Sequence, residues 1–261
     1  MYAFEFARPT TVAEALTALA AEDAQALGGG QTLIPTLKQR LAAPSVLVSL
    51  SGIASMKGLA MKDGQLCIGG GTTHAAVARG ARVNYPALAS LAERIGDPSV
   101  RNRGTIGGSI ANNDPSACYP AGALGSGATI VTDRREIAAD DFFQGMFTTA
   151  LDSPEIVTEV RFRVPERARY EKFIQRASRF PLVAVFVARF ADGVRVAVTG
   201  ASESGVFRWT EAEEALTASF TPEAVKGLKP PADGMIGDLH GTPDYRAHLV
   251  GIVTARAVAA A

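Results

Sequence analysis

Three glycine clusters hold most of the residues in this chain that could do chemistry. The first reads Gly28, Gly29, Gly30, Gln31, Thr32. The second stretch, residues 103–115, reads Arg-Gly-Thr-Ile-Gly-Gly-Ser-Ile-Ala-Asn-Asn-Asp-Pro, and the third is Gly69, Gly70 and Gly71 followed by Thr72 and Thr73. Glycine lacks a Cβ, so backbone N–H groups can approach a ligand there, and successive N–H groups make a concavity for an anion. Thr105 and Ser109 add hydroxyls, while Asn112, Asn113 and Asp114 add polar ends with turn-forming habits. Such a surface suits phosphate and hydroxyl groups. It also suits plain turns, and for the third cluster a tight turn ending in a threonine N-cap is the simpler account.

The elements around these loops must aim them. Residues 25–27 read as a brief strand running into Gly28, and residues 33–40 as a helix or helical turn limited by Pro35, so the first cluster sits at a strand-to-helix turn that favours an anion. Upstream, a short strand at residues 4–6 precedes a helix over residues 11–21. Residues 46–50 and 65–69 form strands of different small sheets, the second entered through the hairpin turn Lys62-Asp63-Gly64. Helices are expected at 74–79 and 87–94, and the second cluster is expected as a turn. Then follow a strand at 128–132, a turn at 133–136 and an extended segment at 155–164, framed by Pro154 and Pro165. Strands at 172–177, 182–190 and 194–199 make an antiparallel meander, covered by helices at 211–218, 222–228 and 244–260. The whole is an α+β chain with a domain boundary near Pro165.

Composition narrows the function classes. The 261 residues carry 26 Lys+Arg against 26 Asp+Glu, which argues against nucleic acid as a partner. No apolar run reaches the ~18 residues of a membrane span, the first residues lack a secretory pattern, and a cytoplasmic location is expected. Two widely separated cysteines, Cys67 and Cys118, and three histidines give neither a disulfide framework nor a cluster of metal ligands. No lysine follows the first cluster as in a P-loop, no Gly-x-Gly-x-x-Gly sits in a nicotinamide-binding context, and no Gly-x-Ser-x-Gly elbow occurs. What remains is a diphosphate held by backbone N–H groups from two turns beside a large apolar body. Flavin adenine dinucleotide (FAD) fits that description, and so does a chain in which the clusters are only turns.

Leu27-Gly28-Gly29-Gly30-Gln31-Thr32-Leu33-Ile34-Pro35, then Thr105-Ile106-Gly107-Gly108-Ser109, then Asp114-Pro115, resemble the two FAD loops of the medium, flavin-carrying subunit of molybdenum hydroxylases, the carbon monoxide dehydrogenase and xanthine dehydrogenase family. The resemblance implies a two-lobed FAD-binding domain of the vanillyl-alcohol oxidase type over residues 1–165, with lobes of about 1–58 and 59–165. A smaller C-terminal domain of antiparallel sheet and helices would follow over 166–261. It places Gly28, Gly29, Gly30, Gln31, Thr32, Leu33 and Ile34, with Thr105, Ile106, Gly107, Gly108 and Ser109, on FAD. A Cβ at Gly29 or Gly107 would then fill the space where backbone meets diphosphate. Asn112 and Asp114 are further polar contacts. Cys118 stands where the family often has an acid, Ile95 where xanthine dehydrogenases have a flavin-contacting aromatic, and Gln175 where they have a cofactor-facing lysine. Ile156 or Val157 would lie against the isoalloxazine as an apolar, backbone-donating contact. Read without the resemblance, Ile156 and Val157 are strand core, Cys118 is a small buried residue and Asp114 a turn residue.

The implied function is electron relay. The molybdenum cofactor and 2Fe-2S clusters would reside on a large and a small partner subunit, in a dimer of heterotrimers, and no residue of this chain would be catalytic. Two alternatives stand beside it: a self-sufficient FAD oxidoreductase of the vanillyl-alcohol oxidase type, and a non-catalytic assembly or binding protein.

Overall fold

A computed structural model describes all 261 residues. The chain opens with β1 (Glu5–Ala7), α1 (Val12–Leu19), β2 (Gln25–Leu27), α2 (Leu33–Lys38) and β3 (Val46–Ser49), and the strands form a small parallel sheet in the order β1-β3-β2. Thr11 starts α1 by accepting the Glu14 N–H on its side-chain oxygen. Ala15, Val48, Ile53, Met56 and Ile156 are buried together between this sheet and the next part of the chain.

Next come β4 (Leu59–Lys62), β5 (Gln65–Gly69), α3 (His74–Gly80), α4 (Pro86–Glu93), α5 (Pro98–Arg103), α6 (Ile106–Asn112) and α7 (Tyr119–Gly125). They are followed by β6 (Thr129–Thr132), β7 (Glu136–Ala138), α8 (Ala139–Phe142), the hairpin β8 (Phe143–Gly145) with β9 (Thr148–Thr149), and β10 (Val157–Arg163). The order β4-β5-β10-β6-β7 makes an antiparallel sheet, with Val160 opposite both Ile68 and Ile130. Asp63 and Gly64, both at positive φ, close the β4–β5 hairpin.

The last part is a four-stranded antiparallel meander, β11 (Arg167–Ile174), β12 (Pro181–Phe190), β13 (Gly193–Ser202) and β14 (Gly205–Arg208), with α9 (Thr210–Ala218) and α10 (Pro243–Ala259). Nearly all of β12 is buried because both faces are covered. Ala184, Phe186 and Ala188 belong to the largest core, with α4 and α7, whereas Val183, Val185 and Val187 belong to the core under α9 and α10. That explains an apolar run over residues 181–188 with no polar alternation.

Several elements differ from the sequence reading. The second glycine stretch is mostly helix, α6, capped by Thr105, and α5 and α7 flank it. Gly122 and Gly125 in α7 let Leu91 and Phe186 come close, since a Cβ at either would stand 2.9 Å from one of those side chains. The expected strand at 172–177 begins five residues earlier and ends at Ile174, because Gln175 closes a hairpin loop by accepting the N–H groups of Ala177 and Ser178 on Oε1. The expected helix at 222–228 is a single tight turn, Pro222–Val225, ended before Gly227 at φ +83°. No helix is long and apolar enough to cross a membrane. Both cysteines are free and buried.

Candidate functional site

The first and second glycine clusters meet. A cavity of about 970 Å³ is lined by Gly28, Gly29, Gly30, Gln31, Thr32 and Leu33 from one side, and by Thr105, Gly107, Gly108, Ser109 and Asn112 from the other. Asp114, Cys118, Ile156, Val157 and Ile95 also line it. Two expected residues do not. Ile106 is fully enclosed in the largest core, and Ile34 lies outside the lining, where its side chain would crowd any Cβ at Gly30.

The glycines that line the cavity also lie against other parts of the chain. A Cβ on Gly29 would lie 2.2 Å from the Arg103 carbonyl oxygen, and one on Gly107 would lie 2.7 Å from that of Gly70. A Cβ on Gly28 would meet Thr105 Oγ1 at 2.9 Å. These residues are small so that loop packs on loop. The third cluster is the seat: Gly70 is held by its N–H to Thr158 O at 2.7 Å and accepts the Gly107 N–H at 2.8 Å. Thr72 accepts the Ile106 N–H on its carbonyl, and Thr73 caps α3 through the Ala76 N–H.

The hydrogen-bond ledger also divides the two loops. At the start of α6 the N–H groups of Ile106, Gly107, Gly108 and Ser109 are all taken inside the protein, by Thr72 O, Gly70 O, Thr105 Oγ1 and Thr105 O. By contrast, none of the six successive N–H groups from Gly28 to Leu33 has an acceptor in the protein, and all six residues line the cavity. A run of open N–H groups is a ready site for a diphosphate. On the opposite side the Ser109 hydroxyl and the Asn112 amide are free to bond a ligand.

The polar residues beyond the loops are constrained. Asp114 Oδ1 accepts the Ser116 N–H at 2.8 Å, so its carboxylate forms a turn at the rim. Ile156 cannot act as the expected backbone donor, because Asp133 Oδ1 takes its N–H at 2.7 Å; its side chain and that of Val157 supply an apolar wall. Gln175 is spent on its own loop and does not line the cavity. Lys172, three residues earlier on β11, does line the cavity: it is 5% exposed and donates Nζ to Arg94 O at 2.9 Å and to Cys118 Sγ at 3.5 Å. Burial lowers its pKa from the usual lysine value. Position Lys172 was missed because strand alternation between Tyr170 and Lys172 gave no sign of which face turned inward.

Other lining residues were also missed. Gly71 comes from the third cluster and His74 from the start of α3 just after it, and Phe180, Pro181, Asp238 and His240 come from beyond residue 165. The glycines of the third cluster were the one available signal. Glu155 at the rim is bound by Arg135 through Nε at 2.9 Å and Nη2 at 2.8 Å, which drives its pKa down to about 2. No group of three or more His, Cys, Asp or Glu is placed to hold a metal ion.

A cradle of open N–H groups beside an apolar wall is the arrangement of a protein that holds a dinucleotide. Comparison with known proteins agrees with it: the chain belongs to the family described as FAD binding domain in molybdopterin dehydrogenase, which matches residues 2–166. The carbon monoxide dehydrogenase medium chain of Hydrogenophaga pseudoflava is 32% identical to it, over 99% of this chain and 96% of that one. The nicotine 6-hydroxylase medium subunit of Paenarthrobacter nicotinovorans is also 32% identical, over 95% and 93%. Among solved structures, the cyanide-inactivated Cu,Mo-CO dehydrogenase superposes with a TM-score of 0.89 at 28% identity, over 99% of this chain and 98% of that chain. Quinoline 2-oxidoreductase from Pseudomonas putida 86 gives 0.87 at 28%, over 99% and 96%. The chain is thus an oxidoreductase component with the mixed α/β fold of those medium chains.

Proposed function

We propose that this chain is the flavin-carrying electron-relay subunit of a molybdenum hydroxylase. It would receive electrons from 2Fe-2S clusters on a small partner subunit, which drain a molybdenum cofactor on a large one, and pass them to an external acceptor. The observation that carries this reading is the row of six open N–H groups, residues 28–33, facing a cavity large enough for a dinucleotide. Relatives named medium chains or medium subunits imply smaller and larger companions, and a dimer of such heterotrimers is the assembly we infer. The two lobes, 1–58 and 59–165, would be those of the vanillyl-alcohol oxidase type, and 166–261 the C-terminal domain.

FAD, when bound, supplies the redox chemistry. The chain does the rest. Residues 28–33 would hold the diphosphate by backbone N–H groups without a lysine or metal. Ser109 and Asn112 would bond polar atoms from the far side, and Ile156, Val157 and Ile95 would keep water from the ring. Lys172 brings one positive charge into a wall of low dielectric, where it favours electron-rich, anionic states of whatever lies beside it. No acid or base of the chain is required to make or break a substrate bond.

The test is purification of the chain with its genetic neighbours and measurement of flavin, molybdenum and iron. Stoichiometric FAD released from this chain, in a complex that also holds molybdenum and iron–sulfur, is the expected result. A chain that neither retains nor binds FAD overturns the reading.

A further inference from the structure

His74 is the one buried imidazole of the cavity wall, and nothing in the relay scheme uses it. Resting on the flavin reading above, we propose that His74 donates a hydrogen bond from Nε2 to an oxygen of the bound dinucleotide, and so serves as a fixed polar contact on the side of the second loop.

The backbone places the ring with little freedom. His74 is the first residue of α3, capped by Thr73, and its N–H donates to Gly104 O at 2.9 Å, beside the Thr73–Thr105 bridge. Its ring packs on Tyr119 at 5.3 Å with the planes tilted by 47°. The residue is 5% exposed and lines the cavity. Nδ1 is sealed off with no partner. An N–H buried without an acceptor costs more than a bare ring nitrogen, so the proton of the neutral ring belongs on Nε2. No group of the protein accepts that Nε2–H.

Gly104 shows that the space at Nε2 is kept clear. A Cβ there would lie 2.5 Å from Nε2, closer than any side chain tolerates. The position therefore keeps a glycine that neither turns the chain, at φ −58°, nor caps a helix through positive φ. Burial first, and the charge of Arg101 second, push the His74 pKa down to about 4. The ring is then an uncharged donor across the physiological range. It adds a hydrogen bond where the first four N–H groups of α6 are already committed. An oxygen of the diphosphate or of the ribityl chain has the acceptor chemistry such a donor needs, and the two are separated by the probe.

The full-length chain, freed of flavin, is titrated with FAD and separately with riboflavin, following flavin fluorescence. His74→Phe keeps the packing on Tyr119 and removes the donor; His74→Gln keeps a donor. About tenfold weaker FAD binding in His74→Phe, with substantial recovery in His74→Gln, is expected. Riboflavin affinity that falls in parallel assigns the ribityl chain, and unchanged riboflavin affinity assigns the diphosphate. Selective ¹⁵N labelling gives a second readout on the unaltered chain, in which Nε2 carries the proton and its resonance moves when FAD saturates the site. Wild-type FAD affinity in His74→Phe, or an imidazole resonance indifferent to FAD, overturns the proposal while the flavin reading stands. If His74→Phe does not fold, the resonance decides. Failure of the unaltered chain to bind FAD at all overturns the flavin reading instead.

Discussion

Glu155 shows how a single rim residue ties the cavity to acidity. Its carboxylate, gripped by Arg135 and by the Asp152 N–H, has a folded pKa of about 2 against an ordinary value of 4.5. A depressed carboxylate pKa contributes stability that is fully present above pH 4.5 and is lost as pH falls toward 2. The thermal midpoint of the chain should therefore drop across that window. Glu155→Gln should be less stable than the parent at neutral pH and should show a shallower acid slope, by calorimetry at a series of pH values. Equal slopes in the two proteins would remove Arg135 and Glu155 as a cause of acid sensitivity. The residue matters to the site as well, because it leads directly into Ile156 and Val157 on the apolar wall.

At the scale of elements, the glycines carry the clearest prediction. Because Gly29 abuts the Arg103 carbonyl and Gly107 abuts Gly70, substitution by valine pushes backbone against backbone rather than against a ligand. Gly29→Val and Gly107→Val should lower the thermal midpoint of the flavin-free chain itself. Ser109→Ala should leave that midpoint within about 0.5 kcal/mol of stability and cost FAD binding roughly one hydrogen bond, ~0.5–1.5 kcal/mol. A valine variant as stable as the parent without FAD would mean that the loops are held apart, not packed. The same elements show what was legible beforehand. The glycine-rich loops, the strand before Gly28 and the alternation in β13 could be read because they obey local rules of turn and period. Helix α6 was hidden because Gly107 and Gly108 are poor helix formers, tolerated since one packs on Gly70 and the other leaves Thr105 room to cap. Lys172 and His74 were hidden for another reason: their role depends on which distant segment they face, and strand or helix spacing carries no such information.

For the molecule as a whole, the parts on either side of residue 165 are bound by more than a linker. Thr199 Oγ1 donates to the carbonyls of Pro115 and Ala117 at 3.0 and 2.8 Å, and the Gly200 N–H donates to Pro115 O at 2.8 Å. Arg246, almost fully buried, donates Nη1 to Leu182 O and Gly200 O and Nη2 to Asp238, and so fixes the turn that brings His240 to the cavity. Phe180, stacked edge-on against His240 at 5.5 Å, completes that wall.

Strand β12, covered on both faces, has a practical consequence for anyone wishing to cut the protein down. A fragment ending at residue 166 would keep every glycine loop yet lose Tyr170, Phe186 and Ala197 from its principal core, leaving α4 and α7 with a greasy scar. Such a fragment should come out in inclusion bodies or as soluble aggregates, and light scattering on the refolded material should show it; a well-behaved monomer that takes up FAD would contradict this. The recognisable sequence unit, residues 2–166, and the unit that should fold alone are then two different lengths.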